Sequence, residues 1–486
     1  MDLWLGEQQV VSKELEPVIG LEIHVQLRTR TKMFCSCALG FGEPANTRTC
    51  PVCLGLPGAL PVANAEAIHY GLMIGMALES ELASVSTFHR KNYFYPDLPK
   101  GYQISQFDLP LCSGGKLGEV TINRVHLEED AAKLNHAGAS GRIDGADSSI
   151  VDFNRGGTPL AEIVTEPQLR SAEQAGSWLR LLRTTLRTLG VSDVNMEEGS
   201  LRCDANISLR PIGSDQLGTK TELKNMNSFR FIERGIRAEV ERQRNLIGDG
   251  QSITQETLHF DPKSEAITSL RSKEEAHDYR YFPEPDLPPV IITKAMLGRA
   301  AEALPELPAA REQRYVDQVA LSAESARLFA WRAELGDYFD AVCAADTSLE
   351  PQLAANWVTE LQGRLGDQEA EDSKVSAAAL AQLAALVSTS VINQGGAKQV
   401  LDELVSEGGE PAAVVAAQGL EAVAGANELA PIVAAALAAN PELTERLRGG
   451  DMKPIGVIIG DVMKRTRGRA DGKEVTLLVR QQLGLS

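Results

Sequence analysis

The chain has 486 residues, more than one hydrophobic core normally serves, so two to four domains are expected. Apolar residues make up 43% and charged residues 23%, a soluble-globular balance with ample material for cores. Asp and Glu outnumber Lys and Arg by 66 to 48, and the resulting charge of −18 argues against a general DNA coat or a membrane-surface protein, while leaving room for nucleic acid held by a local basic patch.

The first residues, MDLWLGEQQVVSKELEP, carry no charged-then-apolar secretion pattern and no small-residue cleavage site. No stretch approaches the roughly 18 to 20 continuous apolar residues of a membrane span, so the cytoplasm is the expected compartment. Val18–Leu27 then reads as a strand. Ile19, Leu21, Ile23, Val25 and Leu27 share one phase of a period-two alternation, and Glu22, His24 and Gln26 share the other. Glu22 and His24 would stand about 7 Å apart at Cα on one face, where a carboxylate and an imidazole can share a divalent cation. An ordinary polar strand face is the alternative.

Cys35-Ser-Cys37 and Cys50-Pro-Val-Cys53 follow, separated by twelve residues. Four thiolates at this spacing suit tetrahedral zinc, with a redox CxxC or buried free thiols as rivals. A closed four-cysteine site has no open coordination position, so its zinc would be structural. Arg90–Gln106, RKNYFYPDLPKGYQISQ, mixes aromatics, prolines and lysines and reads as a shaped binding loop. His126-Leu-Glu-Glu-Asp130 and Pro159-Leu-Ala-Glu-Ile163 set acids among apolar neighbours, and Gly156-Gly157 between them reads as a turn.

A helix is expected from about Ser171 to Leu189. Ser171 and Gln174 have capping-box spacing, Ala175, Trp178, Leu182, Leu186 and Leu189 form one face, and Gly190 stops it. In Ser200–Leu209 the set Arg202, Asp204, Asn206 and Ser208 alternates with Leu201, Cys203, Ala205, Ile207 and Leu209. Lys220, Glu222 and Lys224 are in phase in the next segment, and a second helix is expected from about Phe229 to Ile247 before Gly248. Carboxylates converging on one sheet face are costly unless cations compensate, so a Mg²⁺-type site of oxygen ligands is the economical explanation. The fold class to this point is α+β.

Proline-rich Pro283–Val290 is the natural junction. From about residue 300 the chain becomes Ala- and Leu-rich, as in Ser376–Val387 and Ile432–Leu443, and an all-α region with a further boundary near Asn393–Gly396 is expected. Met452–Arg469 holds Lys453, Lys464, Arg465, Arg467 and Arg469 against Asp461. On so acidic a chain this local reversal of sign is a candidate phosphate-backbone contact, a solvated basic face being the alternative. No Walker A, GxGxxG or kinase signature occurs.

IGLEIHVQL, CPVCLGLPG, RKNYFYPDLPKGYQISQ, NRGGTPLAEIVTEP, DVNMEEGSLRCDANIS, TELKNMNSF and DYRYFPEPDLPP occur in that order. Together they resemble the B subunits of the tRNA-dependent amidotransferases, which convert Glu-tRNA(Gln) to Gln-tRNA(Gln) or Asp-tRNA(Asn) to Asn-tRNA(Asn). The resemblance implies a variable extension over residues 1–13 and a catalytic cradle related in fold to glutamine synthetase over 14–300. A helical domain over 301–396 and a tRNA-binding tail over 397–486 would follow. It implies ATP and Mg²⁺ as cofactors, and an amidase A subunit and a small C subunit as partners in a heterotrimer, with misacylated tRNA as substrate and neither DNA nor membrane as partner.

By the same resemblance Glu22, His24 and Glu129 are catalytic and metal-binding, with Glu162, Asp204 and Glu222 completing the Mg²⁺ set. Lys91, Tyr93 and Lys100 match residues lining an ammonia passage, and Cys35, Cys37, Cys50 and Cys53 match a zinc site found in many members. A tRNA-binding scaffold with an inert acidic face is the competing reading, and it would have no need of that acid set.

Overall fold

The computed structural model describes residues 14–137, 147–262, 264–272, 279–366, 368, 370–423, 426–466 and 468–485. The extension expected over residues 1–13 and Arg467 lie outside them. The described chain is mixed α+β and divides into two compact units, one ending at Pro308 and one beginning at Ala309.

The first unit is organised by a ten-stranded sheet. Its long strands are β1 (Leu15–Gln26), β4 (Val120–Glu129), β5 (Pro159–Thr165), β6 (Leu201–Pro211), β7 (Thr221–Met226), β8 (Glu256–Phe260) and β9 (Ile267–Ser272). A separate hairpin pairs β2 (Phe88–Asn92) with β3 (Tyr102–Gln106). Across the sheet the order is β9-β8-β7-β6-β1-β5-β4, with short strands beyond β4. Neighbours are antiparallel except for the parallel pair β7–β8.

β1 sits between β5 and β6, and its alternation is realised as expected: Ile19, Leu21, Ile23 and Val25 are buried, while Glu22, His24 and Gln26 are part-exposed. The apolar face is covered by helices. α1 (Ala65–Ala77) packs on β4, where Gly71 brings its backbone against Leu111 and Leu127. α3 (Phe229–Gly248) packs on β6 and β7, and α2 (Ala172–Thr188) packs on α3. Ser171 caps α2 by accepting from the Gln174 N–H, whereas the Gln174 side chain reaches back to the Arg170 N–H, one residue earlier than a capping box requires. α3 continues through Gly248, which the sequence marked as a stop, and ends at Asp249.

The Arg90–Gln106 segment is not wholly a loop. Its ends form the β2–β3 hairpin, with Lys91 opposite Gln103, and only residues 93–101 are irregular.

The second unit contains no strand among the described residues. Buried side chains gather in two clusters, one spanning Tyr315 to Val415 and the other Leu429 to Val479. In the first, Phe329 and Phe339 stack at 4.7 Å with Tyr315 edge-on to both. The Ile432–Leu443 stretch is shared by two helices: one ends at Ala439 and another starts at Pro441, a first-turn position where proline is well tolerated.

Phe339 is fully buried in this aromatic stack. Phe339→Ala is expected to destabilise the second unit by about 3–5 kcal/mol. The measurement is urea unfolding followed by the fluorescence of Trp331 and Trp357, which belong to the same cluster. An unshifted midpoint would contradict the assignment of this core.

Candidate active site and zinc knuckle

Strand register builds the site. His24 of β1 lies opposite Glu162 of β5 on one side and Arg202 of β6 on the other, and Glu162 in turn lies opposite His126 of β4. One row thus crosses four strands as Arg202, His24, Glu162, His126. Glu128 stands two residues beyond His126 and shares its face.

The side chains converge. Nε2 of His24 lies 3.4 Å from Glu162 Oε2 and 3.7 Å from Glu128 Oε1. Nε2 of His126 lies 3.4 Å from the same Glu162 Oε2 and 3.7 Å from Glu128 Oε2. Ser105 Oγ donates to Glu128 at 3.0 Å, and Arg124 reaches Glu162 at 3.3 Å. Both carboxylates and His126 are buried.

Two buried carboxylates this close must share positive charge. Burial opposes a charge on His24, but the hydrogen bond and charge of Glu162, aided by Glu128 and Asp204, raise its pKa. His126 is pushed up to about 9, burial being overcome by the same two carboxylates. Burial works against ionising Glu162, yet His126 and His24 hold its carboxyl well below the usual range.

His24, Glu128 and Glu162 each offer one ligand atom, all within 4.8 Å of one another. Octahedral Mg²⁺ ligands at about 2.1 Å from the ion stand about 3 to 4 Å apart, so this donor set fits a small divalent cation.

Glu22, Asp204 and Glu222 gather in a neighbouring group. Asp204 lies opposite Glu22, and Asn206 donates to Glu22 at 2.9 Å. Lys224 bridges Asp204 at 2.7 Å and Glu222 at 3.3 Å, so this group already holds a cation from the chain itself. Asp130 is clamped by Arg202 at 3.0 Å and Gln26 at 2.7 Å.

Glu129 is elsewhere. It pairs with Lys100, accepts the Ile104 N–H at 2.9 Å, and lines a pocket of about 160 Å³ with Lys100 and Tyr102.

Lys91 and Tyr93 lie beside Tyr279 and Tyr281. Lys91 Nζ sits 4.8 Å from the centre of the Tyr279 ring, Tyr93 meets Tyr279 edge-on, and Phe107 stacks on Tyr281 at 4.3 Å. Burial disfavours the Lys91 ammonium, but Tyr281, Glu128 and Glu162 outweigh it and raise its pKa. Burial pushes the Tyr281 hydroxyl up to about 12.

Of the six expected Mg²⁺ residues, the structure therefore brings His24 and Glu162 together, sets Glu22, Asp204 and Glu222 around Lys224, and turns Glu129 into another pocket. Sequence reasoning did not select Glu128, His126, Tyr279 or Tyr281. Period two supplied a signal for the first pair, since residues 126 and 128 share a strand face. Nothing local marked the two tyrosines as neighbours of Lys91.

The four sulfurs of Cys35, Cys37, Cys50 and Cys53 also lie within 4.8 Å of one another. Zn–S bonds of about 2.3 Å place tetrahedral sulfurs about 3.8 Å apart, so the knuckle fits zinc. The Cys50 N–H donates to Cys53 Sγ at 3.2 Å. A hydrogen bond from Cys35 lowers the Cys53 pKa, with the Lys32 charge assisting, while burial pushes Cys37 up to about 11.

In the second unit Lys464 and Arg465 are exposed near the end of one helix, Arg465 reaching Asp461 at 3.2 Å. Arg469 spends its guanidinium on the carbonyls of Thr466 and Gly419.

Residues 17–298 match a family model described as the GatB/GatE catalytic domain, and residues 337–483 match one described as the GatB domain. Curated relatives, each named as the B subunit of an aspartyl/glutamyl-tRNA(Asn/Gln) amidotransferase, align over nearly the whole chain. The protein from Anaeromyxobacter sp. (strain K) is 49% identical, covering 97% of this chain and 99% of its own. That from Frankia casuarinae is 47% identical, covering 97% and 96%. A Synechococcus relative is 45% identical, covering 97% and 98%. With that identity, coverage and two family models in sequence order, the chain belongs to the family of tRNA-dependent amidotransferase B subunits.

Proposed function

We propose that this chain is the component of a glutamine-dependent amidotransferase that activates and amidates the side chain of glutamate or aspartate on a misacylated tRNA. It is a carbon–nitrogen ligase that works in the cytoplasm beside an amidase A subunit and a small C subunit, on a cradle related in fold to glutamine synthetase. The observation that carries this reading is the convergence of His24, Glu128 and Glu162 on one sheet face, flanked by Arg202 and Lys224.

A carboxylate is a poor electrophile. In the proposed chemistry its oxygen takes the γ-phosphoryl group of ATP, ADP leaves, and ammonia then attacks the acyl carbon and expels phosphate. Mg²⁺, held by His24, Glu128 and Glu162, supplies charge neutralisation to the phosphates. Arg202 and Lys224 hold Asp130 and Asp204 in place and keep the face from excessive negative charge. Lys91 and its tyrosines cover Glu128 and Glu162 and exclude bulk water. Lys100 and Glu129 line the route by which ammonia arrives. The four cysteines hold structural zinc, and the basic tail over 397–486 meets the tRNA.

Glu128→Gln is expected to lower tRNA-dependent ADP formation on the order of 10²-fold or more. Glu129→Gln should instead leave the complex assembled and ADP formation intact, and block glutamine-driven amide formation. Wild-type ADP formation by Glu128→Gln would remove that residue from the metal site. Elemental analysis of anaerobically purified chain should find about one zinc per four-cysteine knuckle, and substoichiometric metal would favour free thiols. Neutralising Lys464, Arg465, Arg467 and Arg469 should weaken tRNA binding and flatten its salt dependence by up to about one log unit per lost phosphate contact. Glutaminase activity should be unaffected, and an unchanged tRNA affinity would reject the patch.

A further inference from the structure

Lys32 is among the most buried charged side chains of the protein, about 1% exposed. Its Nζ donates to the Phe153 carbonyl at 2.9 Å and lies 3.7 Å from Cys53 Sγ. Four thiolates on one divalent zinc leave a double negative charge, and a buried ammonium at that distance offsets part of it. The turn that supplies the Phe153 carbonyl is shaped for this contact. Gly157 is left-handed at φ +87°, and a Cβ there would stand 3.3 Å from Lys32 Cδ and 3.8 Å from Cys53 Cβ. The same turn returns to the strand end beside Glu129, because Gly157 N–H donates to the Asp130 carbonyl at 2.8 Å.

The other flank of the knuckle touches Lys100. Gly55, at φ +65°, lies where any Cβ would collide with the Lys100 side chain. Lys32, Cys35, Cys53, Lys100, Tyr102 and Glu129 therefore line one pocket. The knuckle is a wall of the chamber in which Lys100 meets Glu129.

We infer that metal loading of the four-cysteine knuckle sets the position of Lys100 against Glu129, with Lys32 and Gly55 as the positioning residues that join the two. The inference rests on the reading of Lys100 and Glu129 as the ammonia route. Zinc fixes the Cys50–Gly55 backbone; Gly55 fixes where the Lys100 stem passes; Lys32 ties Cys53 to the Phe153–Gly157 turn. Loss of the metal frees the wall and misplaces Lys100, and ammonia made by the partner amidase is lost to solvent. Ammonium supplied from solution does not depend on that route.

The test uses the three-subunit complex and reads two quantities: the rate at which Zn²⁺ passes to the chelator 4-(2-pyridylazo)resorcinol, and the ratio of glutamine-driven to ammonium-driven amidation. Lys32→Met is expected to speed zinc transfer about tenfold or more and to lower the ratio, with Lys32→Arg restoring part of both. Gly55→Ala is expected to keep its zinc and lower the ratio on the order of tenfold, since displacements of an ångström are enough to misalign a reacting pair. Stripping zinc from the wild-type complex and restoring it should lower and then recover the ratio, an arm that stands even if a variant fails to assemble. If Lys100→Met lowers the ratio while zinc removal and both positioning variants leave it unchanged, the inference is overturned and the ammonia route survives. If Lys100→Met leaves the ratio unchanged as well, the route itself is wrong and the inference falls with it.

Discussion

The first unit is organised around one costly act, the burial of the Glu162 carboxylate beside that of Glu128. A carboxylate taken out of water without compensation costs several kcal/mol, and two within reach of the same imidazoles cost more. The chain meets this with His24 and His126, each 3.4 Å from the same oxygen of Glu162. That arrangement requires β1, β5 and β4 to be neighbours in one register, His24 opposite Glu162 and Glu162 opposite His126. A slip of one residue would put Ile23 where His24 stands and turn the polar set of β1 into the helices beneath. The apolar alternation of Ile19, Leu21, Ile23 and Val25, all buried on the opposite face, is what prevents the slip. Hydrophobic burial on one face fixes electrostatics on the other.

The same logic extends sideways. Each acid on the face has a basic or amide partner matched to it: Asp130 with Arg202 and Gln26, Asp204 and Glu222 with Lys224, Glu22 with Asn206. The His24–Glu162–Glu128 group differs in that, beside the Arg124 guanidinium on Glu162, two of its partners are imidazoles, which can give up their protons. An arginine or lysine partner cannot be displaced by an incoming divalent ion so readily, because its charge is permanent at ordinary pH. Among these acids the imidazole-held pair is the one whose compensation can be partly withdrawn, and its donor atoms are the ones spaced to suit a metal.

Much of this was legible because it follows from period two. Strand β1, its polar phase and the acid-bearing phases of β6 and β7 could be read from the order of residues alone, as could α2 with its Ser171 cap. The four-cysteine spacing was equally plain. What could not be read was pairing. Nothing in the sequence says that Glu162 of β5 lies between His24 and His126, which are 102 residues apart, or that Lys224 would be shared by Asp204 and Glu222. Register is a property of the assembled sheet, set by the summed fit of all apolar faces rather than by any local segment. Tyr279 and Tyr281 illustrate the same limit: they reach Lys91 only because the strand pair Phe282–Arg90 carries a distant segment back to the hairpin.

Glu128 and Glu129 show how much one step along a strand can change a side chain's surroundings. They are adjacent, chemically identical and both buried, yet one joins two histidines and the other joins Lys100. Successive residues of a strand point to opposite sides, so a single step along β4 is enough to give the two carboxylates different partners. Glu128 is held by Ser105 and the imidazoles; Glu129 is held by the Ile104 N–H and an ammonium. Consecutive residues of β3 meet them in different ways: the Ile104 backbone N–H donates to Glu129, and the Ser105 hydroxyl donates to Glu128. A single step along one strand thus gives two adjacent acids separate partners. A helix would separate consecutive side chains by about 100°, leaving two adjacent glutamates partly on one face and in mutual repulsion.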